Sequence, residues 1–175
     1  MKPDKENAST KFRFCTSMFF VLFIMLTTLY SCLSVAKISD FPKASTEINF
    51  EKYSIEYQDK KDPFWTSNTS NVYYFERKKV MAKKDLTDII QYALKKKGYR
   101  IYPMSIDDGN VFGKRGLYAN EWKSITGVYY KIDLSNEKVQ IYINTKITQD
   151  FTGGWRENRA KKVGVIIENM MDSKK

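Results

Sequence analysis

Apolar and polar residues alternate most strictly in the C-terminal half of the chain. Val128, Tyr130, Ile132 and Leu134 are separated by Tyr129, Lys131 and Asp133, and Val139, Ile141, Ile143, Thr145 and Ile147 by Gln140, Tyr142, Asn144 and Lys146. A period of two predicts a pair of strands, joined as a hairpin through Ser135-Asn136-Glu137-Lys138. A slip of one residue would turn every apolar side chain outward, so the register should be firm. Shorter strands are expected over Tyr99 to Met104 and Asn110 to Arg115, around a turn at Asp107-Asp108-Gly109-Asn110, and over the tyrosine- and valine-rich stretch Val72 to Ala82. Lys78 and Lys79 suit the last of these to a sheet edge. Glu47 to Tyr57 also alternates, at Ile48, Phe50, Ile55 and Tyr57 with a slip near Lys52, and predicts one more strand.

Two segments follow the helical period instead. Leu86, Ile89, Ile90, Ala93 and Leu94 form one apolar stripe behind Asp85 as N-cap, with Asp88 three residues on. Lys95, Lys96 and Lys97 complement the dipole at its end, and Gly98 is placed to close it as the C′ residue. After the break at Gly153-Gly154, a second helix is expected to open at Trp155, with Ala160, Val163, Ile166, Ile167, Met170 and Met171 on one face. Gly164 inside it costs about 1 kcal/mol relative to Ala, which is reasonable where helix and sheet approach closely. The predicted order is β-β-α-β-β-β-β-α. This makes the domain α+β, an antiparallel sheet with both amphipathic helices on one face.

Ahead of all this, Phe14 to Ala36 is an uncharged run long enough to cross a bilayer core of ~30 Å. Lys2, Lys5, Lys11 and Arg13 precede it against Asp4 and Glu6, a positive-inside pattern that puts the remainder on the periplasmic or exterior side. Three processing routes share that topology. The run can stay as a signal-anchor helix, or be cut after Ala36, where Ser34-Val35-Ala36 has small residues at −3 and −1. In the third, Leu29-Tyr30-Ser31-Cys32 resembles the lipobox of bacterial lipoproteins, which implies lipidation of Cys32. Residues 33–46, without periodicity, read as a tether, and 47–175 as one extracytoplasmic domain.

Composition narrows the chemistry. The chain has no histidine, which removes Ser-His-Asp and Cys-His nucleophiles and His-ligated metal centres. Both cysteines, Cys15 and Cys32, lie in the leader, so the 143 residues after Cys32 are expected to fold without a disulfide. Of the formal net charge of +10, the leader's ionised residues contribute +2, leaving +8 for the rest. That field favours anionic partners. Outside the cytoplasm these are an acidic envelope protein, a glycan or a lipid surface, with nucleic acid least favoured. No cofactor is called for.

The candidate contacts are aromatic and basic. Phe64 and Trp65 stand in the otherwise polar loop 59–71, where rigid aromatics can anchor a partner or plug the core. Tyr129 and Tyr142 fall with Lys131 and Lys146 on the face opposite the apolar stripe. That face is an exposed binding surface if the helices cover only one side, and a buried layer if something covers the other. Gly153, Gly154 and Arg156 precede a helix and could hold an anion on free N–H groups, or simply form a loop over Trp155. Asp107, Asp108 and Asn110 lack the ligand spacing of a calcium loop and read as turn residues, so no metal site is expected. Asp133 with Glu137, or Glu121 beside Trp122, are the acids that a carboxylate-based hydrolase would use. The reading is an envelope-anchored binding or scaffolding protein. A single-pass inner-membrane subunit of a transport or secretion assembly is the alternative, and the hydrolase ranks third.

Overall fold

The computed structural model describes residues 35–59, 71–102, 106–117, 121–150 and 158–173. Cys32, Phe64, Trp65, Gly153, Gly154 and Arg156 lie outside them. Strands β1 (Asn71–Lys78), β2 (Arg100–Ile101), β3 (Asn110–Arg115), β4 (Glu121–Asp133) and β5 (Lys138–Asp150) form one sheet in the order β1-β5-β4-β3-β2. All four pairings are antiparallel. Helices α1 (Phe50–Asp59), α2 (Lys83–Lys96) and α3 (Arg159–Ser173) complete an α+β fold. Among the described residues no helix is long and apolar enough to cross a membrane.

The hairpin takes the expected register, with Tyr129 opposite Tyr142, Val128 opposite Ile143 and Tyr130 opposite Ile141. Both strands run longer than their alternation, but β4 stops at Asp133, which leaves Leu134 in the turn and exposed. On one face Phe75, Val128, Ile141 and Ile143 pack under Leu86, Ile90 and Leu94 of α2 and Val163, Ile167 and Met171 of α3. Both predicted helices therefore share a face. α2 begins at Lys83 instead of after Asp85, with Ala82 at the cap position, so Asp85 lies in the first turn. Its end is a Schellman motif: the N–H of Tyr99 donates to Leu94 O at 3.0 Å and that of Gly98 to Lys95 O at 2.9 Å. Gly98 has φ +79, the left-handed geometry that favours glycine there.

The second face departs from expectation. Glu47 to Tyr57 is not a strand. Ser45–Glu47 is a 3-10 turn and Phe50–Asp59 is α1. Asn49 caps the helix, its Oδ1 accepting the Lys52 N–H at 3.0 Å. Phe50, Tyr53 and Ser54, at i, i+3 and i+4, turn toward the sheet: Phe50 is buried, and Ser54 Oγ donates to Glu76 of β1 at 3.1 Å. Ile55, an inward position in the alternating reading, is 60% exposed. The slip near Lys52 marks a period of 3.6 that eleven residues carry too briefly to distinguish from two.

The tether is likewise replaced, for its described part, by a packed segment. The structural unit begins at Val35, and Phe41 is buried against Phe112 with ring centroids 5.8 Å apart. Together residues 36–54 form a second layer over Tyr74, Phe112, Ile125, Tyr129 and Tyr142.

Candidate anion-binding groove

The second layer is pinned at intervals along its length. The Ala36 N–H donates to Thr148 Oγ1 at 2.9 Å, Lys146 Nζ to Asp40 O at 2.6 Å, and the Tyr129 hydroxyl to Pro42 O at 2.7 Å. Asn110 Nδ2 donates to Lys43 O. Gly109, at φ +64 beside Ser45, allows the close approach, since a Cβ there would collide with the Ser45 side chain. Tyrosine hydroxyls inside the layer stay neutral. Burial pushes Tyr74 up to about 12 and raises Tyr129 and Tyr142 well above the usual phenol range. With its ends tied to β3, β4 and β5, the segment from Val35 to Ile38 becomes one wall of a groove.

That groove, of about 620 Å³, runs along the end of the β2-β3-β4 edge. Five cations line it: Lys37 from the wall, Arg100 of β2, Lys114 and Arg115 of β3, and Lys123 of β4. Val35, Ala36, Ile38 and Ile125 supply an apolar lining, and none of the described lining residues is acidic. Arg115 is braced: its guanidinium donates to Ser124 Oγ at 3.2 Å and to Lys97 O at 3.1 Å, and lies 4.6 Å from the Tyr99 ring centroid. Lys114 Nζ sits 4.1 Å over the Tyr102 ring.

Two features of the groove work against stability. Arg100 and Lys114 are direct cross-strand partners, and like charges placed opposite one another repel. Lys123 holds φ +46 within a strand, a left-handed geometry that a non-glycine residue adopts at a cost of about 1–3 kcal/mol. An anion in the groove would offset the repulsion. Such costs concentrate where a site needs them.

The residues anticipated from sequence scatter. Tyr129 is fully buried and Tyr142 nearly so, with the Tyr53 ring of α1 tilted against that of Tyr142 at 4.6 Å between centroids, so the expected exposed aromatic face is an interior layer. Lys146 bonds across that layer, and its ammonium lies 5.1 Å from the Phe41 ring. Lys131 instead lines a smaller cavity of about 330 Å³ with Ser45, Asn49 and Glu51. Asp133 is committed to the hairpin turn. It accepts from the Asn136 amide at 2.8 Å, the Ser135 hydroxyl at 2.6 Å and both backbone N–H groups, which hold it well below the usual carboxylate range. Asp107 pairs with Lys83 at 3.6 Å in a 3-10 turn. No cluster of three or more potential metal ligands occurs among the described residues.

The groove residues themselves were not singled out by sequence. The available signal was a pair of cations ending β3 and another following the apolar run. Their convergence depends on the β2-β3 register and on the docked wall. No family model matches the chain, and no curated protein matches its sequence.

Proposed function

We propose that the chain is an envelope-anchored, extracytoplasmic binding protein whose basic groove receives an anionic partner. The observation that carries this is the convergence of Lys37, Arg100, Lys114, Arg115 and Lys123 on one groove without a described acid among its lining. The leader supports the location, through its positive-inside flank and its lipobox-like Cys32. The packing of Val35 and Ala36 supports retention over release. A cut after Ala36 would remove two residues that line the groove, together with the bond to Thr148. Retention takes one of two forms, a lipid on Cys32 or an uncut helix packed in an envelope assembly.

In bacterial spheroplasts, added protease should digest the domain while cytoplasmic markers stay intact. Protection of the domain until lysis would contradict the topology. Fatty-acid labelling that disappears in Cys32→Ala identifies the lipoprotein, and a chain that never labels is the single-pass form.

A further inference from the structure

We propose that the occupant of the groove is the anionic phospholipid head group of the membrane in which the chain is itself anchored. This rests on the anchored reading above and adds the ligand.

The start of the groove's lining favours a lipid. The lining begins with Val35 and Ala36, the last two residues of the apolar run. Val35 is three residues beyond Cys32, and three residues span at most about 10 Å. The Debye length at 0.1 M salt is also about 10 Å. Chain length alone therefore keeps Val35, where the lining begins, within about one Debye length of a lipid on Cys32.

The neighbours of the cations favour a lipid as well. Leu117, 74% exposed, follows groove-lining Gly116, and Tyr102, 42% exposed, lies beneath Lys114. Cations interleaved with an exposed leucine and a tyrosine suit the head-group level, where apolar tips enter the acyl boundary and ammonium and guanidinium groups meet phosphates. A soluble phosphate is the poorer fit. It would occupy a small part of about 620 Å³, and Lys37, Arg100, Lys114 and Lys123 stand exposed along a surface instead of enclosing a point. A lipid surface presents many phosphates at once and relieves the Arg100–Lys114 repulsion along its length.

The test uses the full chain in nanodiscs of phosphatidylcholine alone or mixed with phosphatidylglycerol. Exposed amines are labelled with a lysine reagent and read by mass spectrometry. Phosphatidylglycerol should slow labelling of Lys37, Lys114 and Lys123 by about threefold or more, with high salt restoring it. Lys84 on α2, with its side chain 87% exposed, should be unaffected. The double variant Arg100→Glu/Lys114→Glu should lose the protection at Lys37 and Lys123 while Lys84 labels normally. Should that variant misfold, the lipid and salt comparison on the native chain still decides. Equal labelling in both discs overturns the proposal, as does undiminished protection in the folded variant. Inorganic phosphate added to phosphatidylcholine discs overturns it if it protects as well as phosphatidylglycerol does, since the site then takes small anions. A chain that leaves both kinds of disc contradicts the anchored reading as well, whereas lipid-independent labelling of a retained chain overturns the ligand alone.

Discussion

Truncating Phe41 to alanine is expected to destabilise the domain by about 3–5 kcal/mol, the range for removing a buried aromatic ring. Phe41 sits before the first long helix, in a stretch whose composition reads as linker, yet it is only 5% exposed. Its ring meets Phe112 edge-on, and Phe112 meets Tyr129 edge-on at 5.8 Å, so the truncation opens a cavity at one end of a continuous aromatic layer. Domains of this size are stable by about 5–15 kcal/mol in total, so one such substitution removes a large share. Denaturant unfolding of the full chain provides the measure, with Ser39→Ala as the control. Ser39 is exposed, and its substitution should stay within about 0.5 kcal/mol. If both variants unfold like the native chain, the segment is not part of the core.

Gly164→Leu should destabilise by about 3 kcal/mol or more, from overpacking at a helix–sheet contact with nowhere to give. A Cβ at Gly164 would already overlap the Tyr73 ring. That ring cannot swing aside freely, because its hydroxyl donates to Glu168, whose other oxygen holds Arg77 at 2.5 Å. The milder Gly164→Ala decides between two effects of opposite sign. Helix propensity alone predicts a gain of about 1 kcal/mol, while the contact predicts a net loss of about 1–2 kcal/mol. A thermal midpoint that falls in Gly164→Ala, and falls less in a Tyr73→Ala background, locates the cost at this contact.

These two sites mark what the sequence made legible and what it did not. Gly164 could be read in advance, because a glycine inside a clear apolar stripe calls for a packing reason. The β4–β5 hairpin and α2 were legible for the same cause: each buries one face, and its period records which. α1 was not. Its inward residues Phe50, Tyr53 and Ser54 are few, and Ile48, Phe50 and Ile55 imitate alternation over the same span. The one local sign was Asn49 at the cap. The consequence reaches the sheet, since a strand at 47–57 leaves Tyr129 and Tyr142 facing solvent, while a helix with its preceding segment covers them. The groove was illegible for a different reason. Positions 37, 100, 114, 115 and 123 become neighbours only through the register of β2, β3 and β4 and a wall with no periodicity of its own.

Lys37 reaches the groove only through that wall. With residues 36–43 bonded to the sheet, the cations of β2, β3 and β4 meet Lys37 in one groove. On a slack tether, Lys37 would not belong to the groove. Hydrogen exchange on the full chain in nanodiscs tests this most directly. The amides of Ala36, Phe41 and Ile48, which donate to Thr148, Ile38 and Ser45, should exchange orders of magnitude more slowly than an unstructured peptide. Exchange of all three at the free-peptide rate, with β4 and β5 still protected, would contradict the account.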